Sequence, residues 1–96
     1  MVYASKAEAR YAKHLDLLKK NGEIWNWDGQ VRVPLIVNGV KVTTMVPDFL
    51  VFFEDGRTEY REVKGFETAV WKLKRKLFEA LHPDVPYIVI TAREVP

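Results

Sequence analysis

The spacing of apolar residues predicts two helices, one near each end of the chain. The first begins with Ser5 as the N-cap residue and Glu8 three positions later, the pattern of a capping box, and ends near Lys20 before an Asn-Gly pair. The second covers residues 67–82 and is closed by Pro83, which cannot continue a helix.

Between and after the helices, apolar residues alternate with polar ones or form short β-branched runs, as is typical of strands. Residues 24–27 are a possible short strand. Residues 31–37 and 40–46 flank Asn38-Gly39, the strongest signal for a two-residue hairpin, and residues 47–53 and 58–64 form the next pair. Residues 87–91 are wholly apolar or β-branched, which predicts a strand buried on both faces.

The turn at residues 38–39 predicts the register of its hairpin. Pairing across it places Val37 opposite Val40 and Leu35 opposite Val42. The other face would then hold Arg32, Pro34, Ile36, Lys41, Thr43 and Met45. The apolar members of that face, Pro34, Ile36 and Met45, are a predicted surface for a homodimer.

Composition restricts the class of protein. The 96 residues are 48% hydrophobic, which excludes disorder and predicts one domain over residues 1–96. There is no cysteine, hence no disulfide, thiolate zinc site or Cys nucleophile. No apolar run approaches the roughly 20 residues that span a bilayer, so we expect a cytoplasmic protein without a membrane partner. A net charge of +2 is compatible with a polyanionic partner.

The order of the predicted elements indicates the fold class. A strand, a helix and a further strand at the end of the chain predict a crossover connection and therefore a partly parallel sheet. We expect an α/β fold in which a mixed sheet is flanked by two helices.

Ionisable residues interrupt the apolar pattern in three places, and the first is Glu8. It falls at the centre of the apolar stripe of the first helix, among Ala4, Tyr11, Ala12, Leu15 and Leu18. A role in capping and a role in a functional cleft are equally good explanations of this Glu, and both can hold together.

The second place is Asp48, and the third is Glu62 with Lys64. If the strand continued from the hairpin, Asp48 would share the core-facing side with Leu50 and Phe52; the alternative is a turn at the start of the strand. A three-residue loop with a bulge after Phe53 would set Asp48 opposite Glu62, whereas a two-residue loop would put Glu62 on the opposite face. The turn residues favour the first alternative.

Two carboxylates on adjacent strands repel each other unless a cation lies between them. Oxygen ligands without His or Cys select a hard ion such as Mg²⁺ or Mn²⁺. With Lys64 next along the same face, the set suits attack of water on a phosphodiester. The metal would supply the nucleophile, and the lysine would stabilise the phosphate.

Pro47-Asp48, then thirteen residues, then Glu62-Val63-Lys64 resembles the PD-(D/E)XK motif of metal-dependent nucleases. The nearest resemblance is to small phage-encoded endonucleases and resolvase-like nucleases. It implies a restriction-endonuclease-like αβββαβ core, here with an extra β-hairpin arm, and a metal-dependent DNA endonuclease. By this resemblance Asp48, Glu62 and the carbonyl of Val63 bind the metal, Lys64 is catalytic, and Glu8 matches the acid of the first helix.

The second helix adds Lys74 as a catalytic candidate. It lies within the apolar sector, while Lys72, Arg75 and Lys76 are predicted to point away. Lys74 either extends past the core edge or reaches the scissile phosphate; the two readings are equally good. Two rival functions stay open at this point. One is a catalytically silent DNA-binding or assembly module with the same fold. The other is a protein in which Asp48, Glu62 and Lys64 form a buried salt-bridge network.

Overall fold

A four-stranded sheet with a helix on each face forms the body of the protein. The computed structural model describes residues 5–96, so Ala4 of the predicted helical stripe lies outside the described residues. The elements are α1 (Lys6–Lys20), β1 (Asn26–Gly29), β2 (Val33–Val37), β3 (Val40–Met45), β4 (Phe49–Phe52), β5 (Thr58–Lys64), α2 (Ala69–Leu81), β6 (Tyr87–Thr91) and a final 3-10 turn (Ala92–Glu94).

The sheet has the order β1-β4-β5-β6, while β2 and β3 form a separate two-stranded sheet. Strands β1, β4 and β5 pair antiparallel, and β6 pairs parallel to β5 through the α2 crossover. The predicted α/β fold with a mixed sheet and two helices is therefore confirmed. Without the β2–β3 hairpin, the order of elements is α-β-β-β-α-β.

Each face of the sheet has its own core. The α1 side is filled by Leu15, Phe49 and Val51, which are all fully buried. On the other side Leu35 and Phe78 bring the hairpin and α2 together. The predicted core-facing side of β4 was wrong: Leu50 and Phe52 are only half-buried. Both faces of β4 are covered by other elements, so the alternation of its residues does not by itself show which face is more deeply buried.

The β2–β3 hairpin forms at the predicted turn, but a bulge changes its register. Asn38 and Gly39 both have positive φ, 50° and 79°, as the tight turn requires, and Val37 pairs with Val40. Leu35 then pairs with Thr43 instead of Val42, because the bulge adds one residue to β3.

The bulge corrects the predicted dimer surface. It turns Met45 to the buried side, where it is 2% exposed, while Pro34 and Ile36 stay on the outside. An added residue reverses which face each later side chain occupies, and so Met45 is a core residue.

Strand β6 has the predicted bounds, but its predicted burial was wrong. It is an edge strand, and Ile88 is 40% exposed. Helix α1 begins as predicted, since the hydroxyl of Ser5 accepts the N–H of Glu8 at 3.1 Å. Helix α2 begins two residues later than predicted, because Thr68 is its N-cap. Neither helix of the described chain has the length and apolar character needed to cross a membrane.

Candidate functional site

The turn between β4 and β5 places Asp48 and Glu62 opposite each other. The N–H of Phe53 donates to the carbonyl of Arg57 at 2.9 Å, and Gly56 has a φ of +91°, as in the predicted bulged loop. The ladder continues to its last pair, Phe49 with Arg61. One step further, this register sets residue 48 opposite residue 62. The two-residue alternative is therefore wrong.

Asp48 lies in a bend between β3, which ends at Met45, and β4, which begins at Phe49. Of the two alternatives, the turn at the start of the strand is therefore the one observed. Its Oδ2 accepts the backbone N–H of Val63 at 2.9 Å. The register places Pro47 opposite Val63, and a proline has no N–H to donate. Pro47 therefore offers no ladder donor to the Val63 carbonyl, while the side chain of Asp48 accepts the N–H of Val63.

Glu62 is a buried carboxylate, 6% exposed, with a partner on each oxygen. The hydroxyl of Tyr87 donates to Oε1. The Nζ atom of Lys64 lies 3.1 Å from Oε2. Tyr87 and Lys64 reach Glu62 from the same face because parallel neighbours β5 and β6 carry their side chains in step.

An aromatic ring on α2 contacts Lys64. The ammonium lies 4.9 Å from the centre of the Trp71 ring, a cation–π contact. The guanidinium of Arg75 lies 5.8 Å from the same ring and donates to the carbonyl of Tyr87 at 3.4 Å. The prediction that Arg75 points away was wrong. Four residues after Trp71 and three before Phe78, it lies on the buried stripe of α2.

Glu8 enters the site from the first turn of α1. Its N–H is bonded to the cap Ser5, and its side chain is buried, 8% exposed, with its charge acting on Asp48. The guanidinium of Arg61 donates to the hydroxyl of Tyr11 at 2.9 Å, which ties α1 to β5 one turn after Glu8.

Burial raises the pKa of Asp48 from 3.8 to about 7. The hydrogen bond from Val63 lowers this pKa, the negative charges of Glu8 and Glu62 raise it further, and the ammonium of Lys64 lowers it. Desolvation dominates, since it penalises the charged form of the carboxyl group. Burial and the bond to Glu62 likewise raise the pKa of Tyr87 above its usual range. The site thus gathers more negative charge than its lysine compensates.

Lys74 is placed elsewhere. It lines an apolar groove between the hairpin and α2, together with Val42, Thr43, Val70, Leu73 and Leu77. The structure therefore brings together Glu8, Asp48, Glu62 and Lys64 but not Lys74. The groove surroundings favour the alternative in which the Lys74 chain covers apolar surface.

The donor set fits a hard divalent cation in part. Within residues 5–96, no three His, Asp or Glu side chains are gathered as a metal-binding group. Asp48, Glu62 and the carbonyl of Val63 are all oxygen donors, and Mg²⁺ typically takes one or two carboxylates and keeps several waters. The crowded carboxylates are also the groups whose repulsion a cation would relieve.

The sequence pattern did not identify Tyr87 or Arg75 as part of the site. Tyr87 carries a phenolic hydroxyl directly before the aliphatic residues 88–90 of β6. A polar group beside such a run is the signal that could have marked it. For Arg75 the signal was its spacing, four residues after Trp71 and three before Phe78, which places it on the same side of α2 as both.

Comparison with curated proteins and with solved structures gives no match. A family model does match, over residues 1–94, and its description is a protein of unknown function, DUF1064. Because the match covers nearly the whole sequence, the chain belongs to the DUF1064 family.

Proposed function

We propose that this protein is a divalent-metal-dependent DNA endonuclease. The observation that carries the proposal is the meeting of Asp48 and Glu62 at one end of the β4–β5 pair, with Lys64 3.1 Å from Glu62. Glu62 is buried and Asp48 partly so, and removing carboxylates from water is costly unless something compensates them; one lysine cannot neutralise both. A divalent cation supplies the missing charge.

The topology supports the same proposal. The α-β-β-β-α-β order, with Asp48 just before the second core strand and Glu62 near the end of the third, is the arrangement that the PD-(D/E)XK resemblance implies. The β2–β3 hairpin is then an arm inserted between the first two core strands. A restriction-endonuclease-like core is therefore part of the proposal.

In the proposed reaction, Asp48, Glu62 and the carbonyl of Val63 hold a Mg²⁺ or Mn²⁺ ion. Such an ion, when bound, lowers the pKa of a water molecule and polarises a phosphoryl oxygen. Lys64 places a positive charge beside Glu62, where it stabilises the charge that grows on the phosphate. Glu8 adds a negative charge near Asp48, which favours cation binding.

The chemistry of Lys64 depends on its surroundings. Contact with the Trp71 ring and with Glu62 fixes the ammonium at the site, so that little reorganisation is needed when a phosphate arrives. Its side chain is 24% exposed, which leaves it accessible from solvent.

The experiment is a cleavage assay on linear, nicked, branched and single-stranded DNA with Mg²⁺, Mn²⁺ or EDTA. We expect metal-dependent cleavage of at least one substrate and its loss in Asp48→Asn. DNA binding without cleavage in any metal would identify the silent binding module instead. Calorimetry with Mn²⁺ addresses the remaining rival, because a salt-bridge network needs no cation and would give no binding heat.

A further inference from the structure

We infer that Tyr87 is a positioning residue, which holds the carboxylate of Glu62 in the orientation that binds the cation. The inference rests on the proposed function, since it assigns a role toward the same metal. Tyr87 lies on β6, the edge strand, and belongs to none of the motif positions. Its link to the site is the hydrogen bond from its hydroxyl to Oε1 of Glu62.

The ring of Tyr87 has little freedom to move. It is 6% exposed and packs edge-on against Phe78 at 5.1 Å and Trp71 at 6.4 Å between ring centres. The ring of Tyr60 lies 6.2 Å away on the neighbouring strand. The guanidinium of Arg75 also donates to the Tyr87 carbonyl. A ring so fixed holds its hydroxyl oxygen within hydrogen-bond distance of Glu62.

This hydrogen bond sets the orientation of the Glu62 carboxylate. With Oε1 bonded to Tyr87, rotation of the carboxylate plane would break a buried hydrogen bond, so Oε2 keeps its place beside Lys64. Partners that bond to a metal ligand generally orient it, and their loss typically costs 10–100-fold in metal affinity or activity. Phenylalanine would fill the same space without this constraint.

The test is a Mn²⁺ titration by calorimetry, which needs no DNA. Tyr87→Phe should weaken Mn²⁺ binding about 10-fold. Tyr60→Phe is the matched control, because it removes a hydroxyl from the same aromatic cluster without touching Glu62, and it should bind Mn²⁺ like the wild type. The double variant Glu62→Gln/Tyr87→Phe should bind no worse than Glu62→Gln alone, since Tyr87 acts through Glu62.

Two results separate the inference from the proposed function. If the wild type binds Mn²⁺ and Asp48→Asn does not, the metal site stands, and unchanged affinity in Tyr87→Phe overturns the role of Tyr87 alone. If the wild type gives no Mn²⁺ binding and no cleavage, both fall. A merely structural Tyr87 would lower the melting temperature and leave the affinity unchanged.

A measurement on the wild type covers the case in which Tyr87→Phe does not fold. The hydroxyl proton of Tyr87, shielded from solvent and bonded to a carboxylate, should be visible by proton NMR with labelled tyrosine. It should persist when Mg²⁺ is added. Its loss on saturation with Mg²⁺ would mean that Glu62 releases Tyr87 to bind the cation, which overturns the inference.

Discussion

The carboxylate of Asp48 replaces a strand carbonyl as the acceptor for the N–H of Val63, at 2.9 Å. The register places Pro47 opposite Val63, and the last pair of the ladder is Phe49 with Arg61. Pro47 has no N–H with which to extend the ladder. The Pro-Asp pair thereby does two things: it stops the β4 pairing and it holds an acid beside Glu62. This relationship makes the spacing between residues 48 and 62 a structural requirement as well as a motif.

Asp48→Asn and Glu62→Gln should each abolish DNA cleavage, because each removes a charged oxygen ligand while keeping the side-chain shape. The fold should survive, since Asn can still accept the N–H of Val63. Circular dichroism and a cleavage assay in Mg²⁺ measure the two effects. Glu54→Gln and Asp84→Asn, both at exposed positions, are matched controls that should cut normally. Normal cleavage by either site variant would show that the site is misassigned.

The stability of the metal-free protein should fall as pH rises from about 4 to about 7. The pKa of Asp48 is about 7 in the folded protein and 3.8 in the unfolded chain. At pH values between these two, the native state holds a proton on Asp48 that the unfolded chain has lost. The shift corresponds to at most about 4 kcal/mol. Partial exposure of Asp48 reduces this to about 1–2 kcal/mol.

Unfolding in urea with EDTA at pH 5 and pH 8 tests this pH dependence. Asp48→Asn has no such proton to lose. Its free energy of unfolding at pH 8 should therefore exceed that of the wild type by about 1–2 kcal/mol, the value of the pKa shift after reduction for solvent exposure. The gain should shrink toward pH 5. If the two proteins differed equally in stability at pH 5 and at pH 8, the pH dependence could not be attributed to Asp48.

Lys64→Ala should slow single-turnover cleavage by about 10²–10³-fold, as expected when a charge-stabilising donor is lost. Binding of Mn²⁺ should stay near the wild-type value, because the lysine is not a ligand. Lys72→Ala on the exposed face of α2 is the control and should change only the salt-dependent DNA affinity. Weaker metal binding with normal turnover at saturating metal would show that Lys64 acts on the cation site instead.

Lys74→Met should leave the single-turnover rate unchanged and should be neutral or stabilising. In its groove beside Val42 and Leu73, methionine removes a charge and adds apolar contact. Melting temperature and cleavage at saturating DNA are the measurements, with Lys72→Met and Lys76→Met as controls. A stable Lys74→Met protein that cuts slowly would place Lys74 at the scissile phosphate after all.

Much of the fold follows from local signals. Strands β5 and β6, the cap of α1 and the hairpin at Asn38-Gly39 have the predicted positions. Glycines with positive φ at Gly39 and Gly56 explain why the two tight turns were predictable from single residues. The bulge at Val42 was not, because no residue type requires it, and it reversed the burial of Met45.

The sequence by itself determined where the β4–β5 turn lies, and its turn residues favoured the register in which Asp48 and Glu62 are opposed. The structure decided between that register and the one of a two-residue loop. The sequence also determined that Glu8 would be buried, through the helical period of α1. Only the tertiary structure decided which side chains complete the site. Tyr87 reaches the site from β6 and Arg75 reaches it from α2. Their positions depend on how α2 packs on the sheet, and no local sequence pattern encodes that packing.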